Sequence, residues 1–147
     1  MIYTPLTKKA LRICFDAHKE QTDKSGMPYV FHPFHVAEQM KDEFSTCTAL
    51  LHDVIEDTDV TVDDLRGEFP PEVIEALELL TYDDSTPYEE YILRLRDDPI
   101  ARTVKRADLR HNSNITRLDT VTERDLARVK KYKRALSLLN RYKRKDK

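Results

Sequence analysis

The chain has 147 residues, 35% of them charged, with two glycines, no tryptophan, and 25 Lys and Arg against 27 Asp and Glu for a net charge of −2. That length suits one domain, read here as residues 1–147, and the slightly acidic balance excludes nonspecific duplex binding as the main work. No apolar run approaches the roughly 20 residues needed to cross a bilayer. Met1-Ile2-Tyr3-Thr4-Pro5 lacks a charged-then-apolar leader, so a cytoplasmic location is expected.

Leu, Ala, Glu, Lys and Arg, which lose little rotamer freedom in a helix, dominate the sequence. Thr4-Pro5 reads as N-cap and first helical position; Leu6, Ala10, Ile13, Cys14 and Ala17 then give a helix fading near Gln21. Thr22 to Tyr29, with Gly26 and Pro28, is a loop. His32-Pro33 opens a second helix, with Val36, Ala37 and Met40 facing inward. A third runs from about Ser45 to Glu56 and carries Cys47, Leu50, Leu51, Val54 and Ile55. A helix this apolar is expected to be central.

Thr61-Val62-Asp63-Asp64 caps a short helix ending near Gly67, and Pro70-Pro71 opens one bearing Val73, Ile74, Leu77, Leu79 and Leu80. Thr86-Pro87-Tyr88-Glu89 repeats the cap signature, and Asp98-Pro99 starts a long helix through Val104, Ala107, Leu109 and Ile115. Thr122 with Asp125 caps the last helix, whose apolar stripe is Leu126, Val129, Tyr132, Leu136 and Leu139. No alternating strand pattern occurs. The expectation is an all-α bundle of about eight helices, with Cys14 and Cys47 as reduced, buried small hydrophobes. The basic stretch 131–147 reads as a solvated final helix with a frayed end.

The third helix also carries His52, Asp53, Glu56 and Asp57, four groups able to bind metal or move protons. Residues four apart lie about 40° apart around a helix and roughly 6 Å along it, so His52 stacks with Glu56 and Asp53 with Asp57. Desolvating three carboxylates and an imidazole together is costly unless a cation or a solvated cleft compensates. An isolated acidic pair at a helix end is ordinarily a solvated terminus; a His-Asp doublet in mid-helix changes that reading. His32, at a loop–helix junction, and Asp108, between Ala107 and Leu109, are further candidates of the same chemistry. Mixed His and carboxylate donors suit Mn²⁺, Fe²⁺ or Zn²⁺, and an octahedral site with open positions favours the first two.

His32-Pro33, His52-Asp53, Glu56-Asp57-Thr58 and the run from Lys105 through Asp108 to Asn112 together resemble the HD superfamily of metal-dependent phosphohydrolases. More narrowly, they are similar to the hydrolase domain of RelA/SpoT-type alarmone enzymes and their small free-standing relatives, over about Lys8 to Leu118. The resemblance implies an HD-type helical bundle in which His32, His52, Asp53 and Asp108 bind one Mn²⁺. Glu56 and Asp57 then match the acidic pair that positions or deprotonates the attacking water. The implied reaction removes pyrophosphate from the 3′ position of guanosine tetra- or pentaphosphate, a small-molecule nucleotide substrate. Basic side chains must screen the polyphosphate, and of Lys24, Lys105, Arg106 and Arg110 the first two are favoured; with Ser25, Asn112 and Tyr29, which can stack on a base or pack against the core, they are the expected substrate contacts.

Two positions depart from the family pattern. Asp23 stands where the substrate loop has a base-stacking Arg, and Ile115 where a Thr lies near the nucleotide. They keep open a hydrolase acting on NADPH or another nucleoside phosphate. A nucleotide-sensing module without turnover is a third reading, against which the acidic pair argues. His35 and His111 are read as packing residues beside the site.

Overall fold

The computed structural model describes residues 1–141. Among them the chain forms α1 (Pro5–His18), α2 (Phe31–Glu38), α3 (Glu43–Asp57), α4 (Val62–Leu65), α5 (Pro71–Leu80), α6 (Tyr88–Leu95), α7 (Pro99–Asn112) and α8 (Glu123–Asn140), with a 3₁₀ turn at Ile115–Arg117. No strand is present in this range; an isolated bridge between Thr22 and Pro28 closes the first loop.

The apolar third helix is the hub. Cys47, Ala49, Leu50, Leu51 and Val54 of α3 are fully buried, and α3 packs on α1, α2, α5 and α7. Ala10 and Cys14 of α1, Val36 of α2, Val73 and Leu77 of α5, and Val104 of α7 fill the space around it. Burying α3 on so many sides fixes the azimuth of its polar residues, because rotating the helix would drive Leu50 or Val54 into water.

Caps set most boundaries. Thr4, Thr61 and Thr122 form capping boxes, and Asp98 accepts the Ala101 N–H. Asp42 caps α3 by accepting the Ser45 N–H at 2.8 Å, which starts that helix two residues before the expected Ser45. Thr86 does not cap α6. Pro87 takes the cap position without a side-chain bond, and the Thr86 carbonyl instead accepts the Tyr82 hydroxyl at 2.9 Å. Helix α1 ends at His18, earlier than Gln21, where the imidazole Nδ1 meets Gln21 Oε1 at 2.8 Å. Helix α7 stops at Asn112, so Ile115 falls in the 3₁₀ turn and is 40% exposed. Leu126 also faces solvent; Ala135 and Leu139 hold α8 to the core. Residues 131–140 continue α8 as the final helix, and the basic end from 142 onward, where fraying is expected, lies outside the described residues. Both cysteines are free and buried.

Candidate metal centre

His32 leaves the first turn of α2, His52 and Asp53 lie on α3, and Asp108 on α7. Because these three helices pack on one another, one donor atom from each of the four residues falls within 4.8 Å of all the others. All four residues are buried, at 3 to 8% relative exposure. His32 Nε2 lies 2.8 Å from Asp108 Oδ1 and 3.5 Å from Asp53 Oδ2. His52 Nε2 lies 3.2 Å from Asp53 Oδ1 and 3.5 Å from Asp108 Oδ1.

The donor set fits a divalent cation on a specific ground. His52 Nδ1 donates to the Ala49 carbonyl at 2.8 Å, which leaves the Nε2 lone pair facing the two carboxylates. That Nε2 is buried and has no hydrogen-bond partner. Two neutral imidazoles and two carboxylates carry a charge of −2, of which the Lys105 ammonium beside Asp108 offsets one, and they present acceptors to one another, an arrangement that calls for further positive charge. Burial alone would push His52 down, yet Asp53 and then Asp108 overcome this and hold it at about 9.

Supporting contacts orient the donors. His32 Nδ1 meets His111 Nδ1 at 2.7 Å, and the His35 ring stacks on His111 with centroids 4.0 Å apart. Burial, with Arg117 and His32 nearby, drives His111 down to about 3, so His111 is neutral and one of the two Nδ1 atoms donates to the other. With His32 Nδ1 as the donor, its Nε2 would present a lone pair to the centre, the orientation that second partners of metal-bound imidazoles commonly impose. Tyr29 donates its hydroxyl to Asp53 Oδ2 at 3.0 Å. Asn112 Nδ2 and Lys105 Nζ both donate to Asp108, each at 3.2 Å.

Glu56 and Asp57 follow one turn beyond His52 and Asp53 but are open to solvent. The structure divides the two compensations the sequence argument allowed, a cation or a solvated cleft: Asp53 is buried among the donors, while Glu56 and Asp57 border a cleft, because α3 emerges from the core in its last turn. That last turn contains no basic residue, although a helix C-terminus disfavours negative charge. Glu56 Oε1 accepts the Tyr82 N–H at 2.7 Å. Partial burial, against the pull of that bond and of Lys105, raises Glu56 above the usual carboxylate range. Partial burial and repulsion from Asp53 do the same for Asp57.

Two clefts meet at the centre. One, of about 280 Å³, is lined by His52, Asp53, Glu56, Asp57, Lys105 and Asp108 and by tyrosines 82, 88 and 91. The other, of about 380 Å³, is lined by His32, Asp23, Lys24, Ser25, Arg117, Asp125 and Arg128. Tyr29, Asn112 and Tyr132 border both. Every residue singled out in the sequence as a substrate contact thus faces one of the clefts. Lys24 is tied to Asp125 at 3.1 Å, which Arg128 also contacts. Ser25 Oγ donates to the Arg117 carbonyl at 3.0 Å. Asp23 is a turn residue: its Oδ1 accepts the N–H groups of Ser25 at 2.9 Å and Met27 at 3.0 Å, with Gly26 at φ 79°.

Sequence reasoning missed the tyrosine wall, Lys131, Arg117, Asp125 and Arg128 as cleft residues, and misjudged His111. His111 had a legible signal, since i+3 from Asp108 on a helix is the same face. Tyr88 and Tyr91 reach the site on α6 and Lys131, Asp125 and Arg128 on α8, while Tyr82 and Arg117 come from the α5–α6 loop and the 3₁₀ turn, placements that no local pattern announces.

Residues 10–91 match the sequence profile of the HD domain; Asp108 lies beyond the matched stretch. The bifunctional (p)ppGpp synthase/hydrolase SpoT of Escherichia coli is 34% identical over 120 residues, 71% of this chain and 17% of that protein. The guanosine-3′,5′-bis(diphosphate) 3′-pyrophosphohydrolase of Aquifex aeolicus is 30% identical over 113 residues, 69% of this chain and 16% of that protein. The chain thus spans about a sixth of the length of these curated relatives. A solved structure of a metazoan orthologue of SpoT superposes with a TM-score of 0.79, covering 96% of this chain and 88% of that one at 24% identity, a likeness of fold.

Proposed function

This chain belongs to the HD domain family, and on that premise we propose that it is a metal-dependent phosphohydrolase that removes pyrophosphate from the 3′ position of guanosine tetra- or pentaphosphate. The observation that carries the reading is the buried convergence of four donors around an unpartnered His52 Nε2, beside an acidic pair. Relatives named for this reaction support the choice of substrate.

His32, His52, Asp53 and Asp108 are the ligands, and Mn²⁺ is the ion we assign. When bound, it neutralises charge on phosphoryl oxygens and lowers the pKa of water. Glu56 acts as general base. Its Oε1 is engaged by the Tyr82 N–H, so Oε2 takes the proton of the attacking water, and its raised pKa suits that role near neutral pH. Asp57, also raised, orients the same water. Lys105, whose charge is secured far above its ordinary range mainly by Asp108 against the pull of burial, holds that ligand in place. Lys24, Ser25, Tyr29 and Asn112 line the larger cleft and receive the nucleoside portion.

Incubating the protein and Mn²⁺ with guanosine tetraphosphate, NADPH and nucleoside 3′-phosphates tests this. The expected result is fastest release of pyrophosphate from guanosine tetraphosphate, leaving guanosine 5′-diphosphate. Brisk turnover of another nucleotide without turnover of guanosine tetraphosphate would overturn the substrate assignment. One observation favours that second reading: the Asp23 carboxylate, fixed by two backbone N–H groups at the mouth of the larger cleft, puts negative charge where the family places a cation.

A further inference from the structure

Three tyrosines wall the smaller cleft. Tyr82 lies 4.9 Å from Tyr91 and 5.6 Å from Tyr88, centroid to centroid. Two ammonium groups rest on this wall: Lys105 Nζ sits 5.3 Å from the Tyr91 centroid and Lys131 Nζ 4.1 Å from that of Tyr88. Their situations differ. Lys105 is committed to Asp108 at 3.2 Å, and its side chain is 13% exposed. Lys131, on α8, is exposed and has no carboxylate within ion-pair distance among the described residues.

A cation held by a ring face alone exchanges readily for a phosphate oxygen, because a charge-assisted hydrogen bond to an anion is the stronger contact. Beneath Lys131, the Tyr88 hydroxyl is buried without a hydrogen-bond partner. Burial pushes it up to about 12, so it stays protonated and can donate. A cation and an unpartnered donor therefore stand together in the cleft that holds Glu56, where two exposed acids would otherwise repel an incoming anion.

We propose that Lys131 and Tyr88 form a subsite for the terminal phosphoryl group of the departing pyrophosphate, selecting diphosphate over monophosphate esters. This rests on the phosphohydrolase reading above. The larger cleft takes the nucleoside, so the outer phosphoryl of the leaving group extends the other way, past the metal centre. With Lys105 bound to Asp108, the ammonium left to meet it is that of Lys131, whose long flexible stem permits the movement.

The test is calorimetric titration of the Mn²⁺-loaded protein with inorganic pyrophosphate and, separately, orthophosphate, with metal content checked afterwards. Lys131→Met is expected to weaken pyrophosphate by about 10-fold or more and orthophosphate by less than about 2-fold, as befits one lost charge-assisted contact. Lys131→Arg should stay within about 3-fold of the parent, since charge and reach persist. Tyr88→Phe should lose several-fold for pyrophosphate alone. Unchanged pyrophosphate affinity in Lys131→Met, or equal losses for both anions, would overturn the subsite. Failure of the parent protein to hydrolyse guanosine tetraphosphate, with the Lys131 dependence intact, would instead remove the substrate assignment and leave the subsite standing.

Discussion

Replacing Asp53 with alanine is expected to eliminate Mn²⁺ binding and hydrolysis together. Asp53 touches both histidines of the centre: Oδ1 lies 3.2 Å from His52 Nε2, and Oδ2 lies 3.5 Å from His32 Nε2 while accepting the Tyr29 hydroxyl at 3.0 Å. Its loss removes one of the two carboxylate charges that offset a divalent ion and frees Tyr29 from its orienting bond. The rate should fall by about 10³ or more, since charge neutralisation at the phosphoryl group contributes several kcal/mol to the barrier. The fold should survive, because removing Asp53 relieves repulsion with Asp57 in the metal-free state. Melting curves provide the check: Mn²⁺ should raise the transition of the parent protein and leave that of the variant unmoved. A variant still stabilised by Mn²⁺ would remove Asp53 from the ligand set.

Glu56→Gln separates chemistry from metal binding. Glutamine keeps the shape and an oxygen for the Tyr82 N–H, and Glu56 lies outside the buried donor cluster. Mn²⁺ affinity and the KM for nucleotide should therefore change little. What disappears is the proton acceptor at Oε2, and kcat should drop by roughly 10² to 10⁴, the usual contribution of a positioned general base. Steady-state kinetics with parallel metal analysis read both quantities. Full activity in Glu56→Gln would transfer the base role to Asp57.

How far the sequence foretold this arrangement depended on whether the governing contact was local. Thr4, Thr61, Asp98 and Thr122 bond to N–H groups three residues on, so their helices were legible. The centrality of α3 followed from Leu50, Leu51 and Val54, apolar on several faces. Thr86 is followed by proline just as the working caps Thr4 and Asp98 are, yet α6 starts one residue later than the pattern predicts, with Pro87 in the cap position and the Thr86 carbonyl accepting the Tyr82 hydroxyl, a one-residue shift that propensity does not register. His52 and Asp53 announced themselves as a polar doublet inside an apolar helix. His32 and Asp108, 76 residues apart and in contact, had the right chemistry but nothing local to place them together; only the resemblance to a family joined them.

The acidic pair shows the limit of pattern alone. Helical spacing correctly put Glu56 over His52 and Asp57 over Asp53, but could not tell that α3 leaves the core between the two turns. Asp53 is consequently buried and Asp57 open to solvent. That division suits the two proposed tasks, a desolvated ligand where electrostatic attraction is strong and an accessible acid where water must enter. Local rules disfavour acids in the last turn of a helix, and such violations concentrate where function requires them.

The central claim, that these four side chains share one divalent ion, is tested most directly by anomalous diffraction from crystals grown with Mn²⁺. A single strong peak among His32 Nε2, His52 Nε2 and the carboxylates of Asp53 and Asp108, absent from crystals of Asp53→Ala, is the predicted result. A map with no peak there, or with manganese only at other positions, would contradict it.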